Sequence, residues 1–121
     1  MQYMALIYGD QSRWDTFSTA EREAVYEQYR AFAKEAAVAG VMVGGDELVH
    51  TRDATTVRVR DDDTLVTDGP YAEVKEALGG YFVFECETMD QAVEYAARIP
   101  GAGHGAIEVR PIYVDPAEVQ L

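Results

Sequence analysis

A chain of 121 residues with 48% apolar and 26% charged residues suffices for one domain, residues 1–121, with a single core. A domain of this size buries roughly two-thirds of its unfolded surface without metal or disulfide staples. The formal charge is −12: residues 1–60 hold 9 acids against 7 bases, residues 61–121 hold 13 against 3. That balance disfavours nucleic-acid and membrane-surface partners, because phosphate backbones and anionic lipids repel it. Solubility or a saline habitat accounts for the charge without any partner. The lone Cys86 cannot form an internal disulfide, so no oxidising compartment is required.

The opening "MQYMALIYGD" has no basic n-region, and its apolar run is too short for a signal or membrane helix, so a cytoplasmic location is expected. "YMALIY" (3–8) is apolar on both faces of a two-residue period and reads as a central strand covered on both sides. Gly9 and Asp10 end it, and "QSRWDTF" reads as a loop. Ser18 and Glu21 form a capping box opening the longest helix. Its apolar stripe is Val25, Tyr29, Phe32, Ala36 and Ala39, and Gly40 supplies the left-handed stop.

"VMVGGDELV" reads as a second strand with a glycine bend. "TTVRVR" and "TLVTD" flank Asp61, Asp62 and Asp63 and predict a hairpin with one exposed face. "YAEVKE" after Pro70 has a short helical pattern ending at Gly79-Gly80. "YFVFECE" is a strand with Phe82, Phe84 and Cys86 on one face. Thr88 and Gln91 then make a second capping box, before a helix stopped by Pro100. "AIEVRPIYV" is the last strand, placed near an edge or strand end by Pro111.

The order predicts an α+β fold: a ferredoxin-like βαββαβ sheet with both helices on one face and a β-hairpin insertion. Apolar residues on the helix-free face then need a partner, which predicts a homodimer with a cavity between or beside the sheets.

"YMALIYGD", "TTVRVRDDDTLVTDGPYAEVKEALGGYFVFE" and "AARIPGAGHGAIEVRPI" together resemble the DGPF branch of the YCII-related (YciI-like) proteins, with Tyr71 where the branch name has phenylalanine. The resemblance implies a dimeric α+β barrel. It also implies kinship with bacterial proteins that are encoded beside, or fused to, alternative sigma factors. The wider superfamily includes a dehydrochlorinase of a chlorinated aromatic, for which a His–Asp pair is the proposed catalytic unit. YciI-like members place that histidine on the first helix and the aspartate after the second. This chain has no histidine between Ser18 and Ala39, and "AARIPG" offers no aspartate.

Other residues must then carry any chemistry, and two stand out as catalytic candidates. Asp68, in the turn "DGPY", is a general base or ligand anchor if it lies at a cavity mouth, with Tyr71 as a wall and Lys75 as counter-ion. Turn chemistry alone also accounts for Asp68, Gly69 and Pro70. His104, in "GAGHG", is a proton carrier near neutral pH or simply an exposed loop histidine. Tyr8 completes the lining, and Arg110 is an anion-binding fork or a structural clasp on Asp68.

"GAGHG" leads into a strand, so it is no dinucleotide fingerprint, and no cofactor is expected. His50, His104 and Cys86 have no zinc or iron spacing, and the three acids at 61–63 lack a calcium loop's alternation, so no metal is expected. Two functions follow. One is a dimeric enzyme or binder using acid/base chemistry on a small molecule. The alternative is a non-catalytic dimeric interaction module associated with sigma-factor regulation.

Overall fold

A computed structural model describes residues 1–119. Four antiparallel strands form the main sheet: β1 (Gln2–Gly9), β2 (Met42–Glu47), β5 (Ala77–Glu85) and β6 (Ala106–Pro111), in the order β2-β5-β1-β6. This is the ferredoxin-like order, with α2 (Thr19–Val38) crossing from β1 to β2 and α3 (Met89–Ala97) from β5 to β6. A separate two-stranded sheet, β3 (Thr55–Arg60) with β4 (Asp63–Asp68), is the predicted hairpin insertion. Asp61 and Asp62 make its tight turn at φ of 50° and 68°. Aspartate tolerates that left-handed region better than most residues.

Local chemistry fixes the long helix. Ser18 accepts the Glu21 N–H at 3.1 Å, and Glu21 accepts the Ser18 N–H at 2.8 Å. Gly40, at φ 75°, turns the chain out of α2. At α3, Thr88 caps Gln91 as expected, but the Gln91 side chain accepts from Glu87 N–H instead of from Thr88. The core lies between the helices and the sheet. Phe84 and Ile99 are fully buried there, with Tyr3, Ala5, Phe32, Ala36 and Ala96 around them.

Three local expectations change. "QSRWDTF" is not all loop: Gln11–Asp15 form a short helix, α1. The Asp10 side chain, which ends β1, also caps α1 by accepting the Ser12 N–H at 3.0 Å. The segment 71–76 forms bends and no helix. Six residues cannot sustain a helix alone, and Val74 there is exposed, without a face to bury. Gly79 and Gly80 lie inside β5, and a Cβ on Gly80 would sit 2.9 Å from the Asp46 carbonyl oxygen of β2. The hairpin leaves its valine face open, with Val57 and Val59 each 59% exposed.

β1 is central, and its two faces differ. Tyr3 and Ala5 are buried beneath the helices, while Met4, Leu6 and Tyr8 are half-buried on the helix-free face. Pairing places Tyr81 beside Leu6 and Val83 beside Met4 on that same face. β6 is an edge strand, and Pro111 ends it.

Candidate functional site

The ends of β1 and β2 and the starts of β5 and β6 meet at one end of the sheet. A cleft of about 920 Å³ opens there, bounded by α1, α2, the segment 47–53 and the turn 100–105. Three contacts hold its frame. Arg22 donates through Nη2 to the Trp14 carbonyl at 3.2 Å, tying α2 to the end of α1. Thr51 donates its hydroxyl to Gln11 Oε1 at 2.7 Å, tying the segment after β2 to the start of α1. Tyr26 donates its hydroxyl to Glu47 Oε1 at 3.0 Å, tying α2 to β2.

Aromatic rings supply the apolar wall. Trp14 meets Tyr26 edge to face at 5.5 Å and Phe17 at 5.7 Å. Deeper in, Tyr29 stacks over Phe82 and accepts the Gly101 N–H at 3.1 Å. Burial pushes the Tyr29 phenol above its ordinary range, and burial with the Glu47 bond does the same to Tyr26. Both remain hydroxyl groups near neutral pH. The Asp10 carboxyl is held below its ordinary value, chiefly by the Ser12 hydroxyl and N–H, with a smaller contribution from the Lys75 charge.

A histidine and an aspartate meet in this cleft. His50 Nε2 lies 3.5 Å from Asp15 Oδ2, with 25% and 44% of the two side chains exposed. The other ring nitrogen, Nδ1, accepts the Arg52 N–H at 3.1 Å. With Nδ1 occupied as an acceptor, the neutral ring carries its proton on Nε2, facing the carboxylate. No hydrogen bond among the described residues engages the other Asp15 oxygen, Oδ1. The group with spare proton-accepting capacity is therefore Asp15, and His50 stands behind it.

The candidates read from sequence divide. Tyr8 and His104 line the cleft. Tyr8 turns its hydroxyl to Glu108 on β6 at 3.4 Å, and His104 is exposed at the end of the turn Pro100–Gly103. Asp68, Tyr71, Lys75 and Arg110 lie outside it. Asp68 ends β4 opposite Thr55, and the next residue, Gly69, donates its N–H to Ala54. Tyr71 is 78% exposed beneath the Arg58 guanidinium. Arg110 is exposed on β6, and no ion pair joins it to Asp68 among the described residues.

The Asp15–His50 contact is not legible in "QSRWDTF", whose expected loop would leave Asp15 unaimed. A helix cap at Asp10 was the available signal. No three His, Cys, Asp or Glu among the described residues converge to hold a metal ion.

The YCII-related domain profile matches residues 1–114. An uncharacterised protein of Rhizobium meliloti (strain 1021) is 35% identical over 114 residues, covering 93% of this chain and 92% of that one. Among solved structures, the 5-chloro-2-hydroxyhydroquinone dehydrochlorinase from Burkholderia phenoliruptrix AC1100, in complex with 2,5-dihydroxybenzoquinone, aligns with a TM-score of 0.50. It covers 97% of this chain and 98% of its own at 14% identity, a likeness of fold.

Proposed function

We propose a function for a chain that belongs to the YCII-related family: its cleft binds a small planar molecule, and Asp15 moves a proton on it. The observation that carries this reading is the His50–Asp15 contact inside an aromatic-walled cleft. A volume of about 920 Å³ exceeds what one small aromatic needs, and the rings of Trp14, Tyr26 and Tyr29 offer flat faces to stack against. Asp15 takes a proton from an acidic C–H or O–H of the ligand, leaving the ligand's conjugate base and a neutral carboxyl. His50 orients the carboxylate through Nε2 before that transfer, and His104 on the cleft wall is a second proton carrier.

The likeness to a dehydrochlorinase supports the reading only through the fold, which in that enzyme houses a small planar quinone. A direct test is deuterium uptake from D2O, followed by NMR, at the ring C–H positions of hydroxyquinones and cyclic diketones. Wild-type protein accelerates uptake and Asp15→Asn does not. Equal rates with both proteins, at saturating ligand, reject Asp15 as the base.

We also infer that the working unit is a homodimer. Met4, Leu6, Tyr81 and Val83 form a half-buried apolar row on the helix-free face, and the hairpin exposes Leu65 and Val66 besides Val57 and Val59. A second copy supplies the same apolar chemistry to both surfaces. Sedimentation velocity should give twice the 13.4 kDa chain mass, and Leu6→Lys should halve it. The exposed hairpin also favours the second function, an interaction module. A chain that stays dimeric, binds no planar ligand and requires Val57 and Val59 for a partner protein would fit that function instead.

A further inference from the structure

The carboxylates and guanidinium groups of the cleft are not equally satisfied. Glu21 accepts from Ser18, Asp10 from Ser12, Asp46 from Tyr81 and Glu47 from Tyr26, while Asp15 faces His50. Arg30 is paired with Glu23. Arg13 and Arg52 also line the cleft without a carboxylate within 4.0 Å among the described residues, but both are exposed. Arg22 differs in its burial. Its guanidinium makes one hydrogen bond, to a neutral carbonyl, and no carboxylate lies within 4.0 Å of it among the described residues. Its Nε is buried and has no hydrogen-bond partner among them.

An unsatisfied buried donor costs on the order of 1–3 kcal/mol, more when it is charged. In a chain with 22 acids and 10 lysines and arginines, a carboxylate partner for Arg22 would be easy to supply. The guanidinium instead lies over the indole of Trp14, with its carbon 5.4 Å from the ring centroid. Stacking there fixes its plane and leaves its in-plane donors for an acceptor that the protein itself does not provide. Trp14 precedes Asp15 on α1, so the ring beneath the α2 cation and the candidate base share one short element.

We propose that Arg22 is an anion-recognition residue, and that the cleft takes planar molecules carrying a carboxylate or an ionised ring hydroxyl. This rests on the cleft being the ligand site, as proposed above, and adds the ligand's charge. The anion meets the fork of Arg22 in a bidentate arrangement, and its ring lies along the aromatic wall. Placing this cation beside the anion offsets the repulsion that a ligand feels from so acidic a protein, and from Asp15 in particular.

Benzoate and benzamide separate charge from shape, because they are nearly isosteric. Titration calorimetry with wild-type protein, Arg22→Gln and Arg22→Lys at low salt measures both. Wild type binds benzoate about tenfold or more tighter than benzamide, the gain expected of a charge-assisted bidentate pair. Arg22→Gln abolishes that preference, so that benzoate and benzamide bind it equally. Arg22→Lys keeps the charge, loses the fork and falls between them, which preserves the test if the glutamine variant does not fold.

Equal binding of both ligands by wild type overturns the anion inference and leaves the cleft reading standing. A benzoate preference that survives in both variants overturns it too. Binding of neither ligand overturns the inference and the cleft reading together.

Discussion

His50 and Asp15 approach to 3.5 Å from opposite sides of the cleft frame, one from the segment after β2 and one from the end of α1. Neither element is long, and each is fixed by a side chain acting on its own backbone. Asp10 caps α1, and His50 Nδ1 caps the turn Thr51–Asp53. The imidazole therefore has two partners and little freedom, while the carboxylate retains an open oxygen.

The first prediction concerns these two residues. Asp15→Asn removes the proton acceptor and should lower catalysed proton transfer by about 100-fold, without weakening ligand binding. His50→Gln should cost less, because the base remains and only its orientation is lost. The kcat and KM of both variants, with the hydroxyquinone that exchanges fastest, check this. A larger loss in His50→Gln than in Asp15→Asn would reverse the roles.

The capping box of α2 makes stability depend on acid pH. The Ser18 N–H and hydroxyl hold the Glu21 carboxyl below its ordinary 4.5. A carboxyl lowered in the folded state binds fewer protons there than in the unfolded chain. Its contribution is present above pH 4.5 and fades as pH falls through the lower folded value. Glu21→Gln should therefore lower Tm at pH 7, and the wild-type advantage should shrink as the pH falls below 4.5. Ser18→Ala should cost about 1 kcal/mol at pH 7 by chemical denaturation.

Gly105 has no room for a side chain. A Cβ there would lie 2.0 Å from the Tyr8 carbonyl oxygen and 3.1 Å from Gly9 Cα, both backbone atoms that cannot swing aside. Gly105→Ala should cost about 1–3 kcal/mol and widen the cleft where the turn meets β1. Gly103→Ala is the control, since nothing lies within 4 Å of that position. Urea titration of both variants makes the comparison.

Most of the fold was legible because its signals are local. The Ser18–Glu21 box, Gly40, the alternation of Phe82, Phe84 and Cys86, and the hairpin around 61–63 each announce themselves within a few residues. Nothing within "GAGHG" signals that Gly105 packs against the backbone of Tyr8. Asp10 signals the end of β1 in the sequence, and its side chain also starts α1. The meeting of Asp15 with His50 depends on tertiary packing that no local pattern encodes. The turn at Asp68 is dense in special residues, and the structure uses it to end the hairpin.

Packing of the core gives a prediction that does not depend on function. Phe84 is fully buried, with Phe82 stacked at 6.1 Å and Phe32 and Tyr95 at 6.1 and 6.0 Å. Phe84→Ala should cost about 3–5 kcal/mol, as removal of a large ring leaves a cavity that the strands cannot close. Denaturant midpoints at unchanged m-value check it.

A crystal structure of the protein soaked with 2,5-dihydroxybenzoquinone decides whether the cleft at the end of the sheet is the ligand site. Density for the ring should appear against Trp14, with an oxygen within hydrogen-bonding distance of Asp15. Ligand found only on the helix-free face or along the hairpin, with an empty cleft, would contradict it.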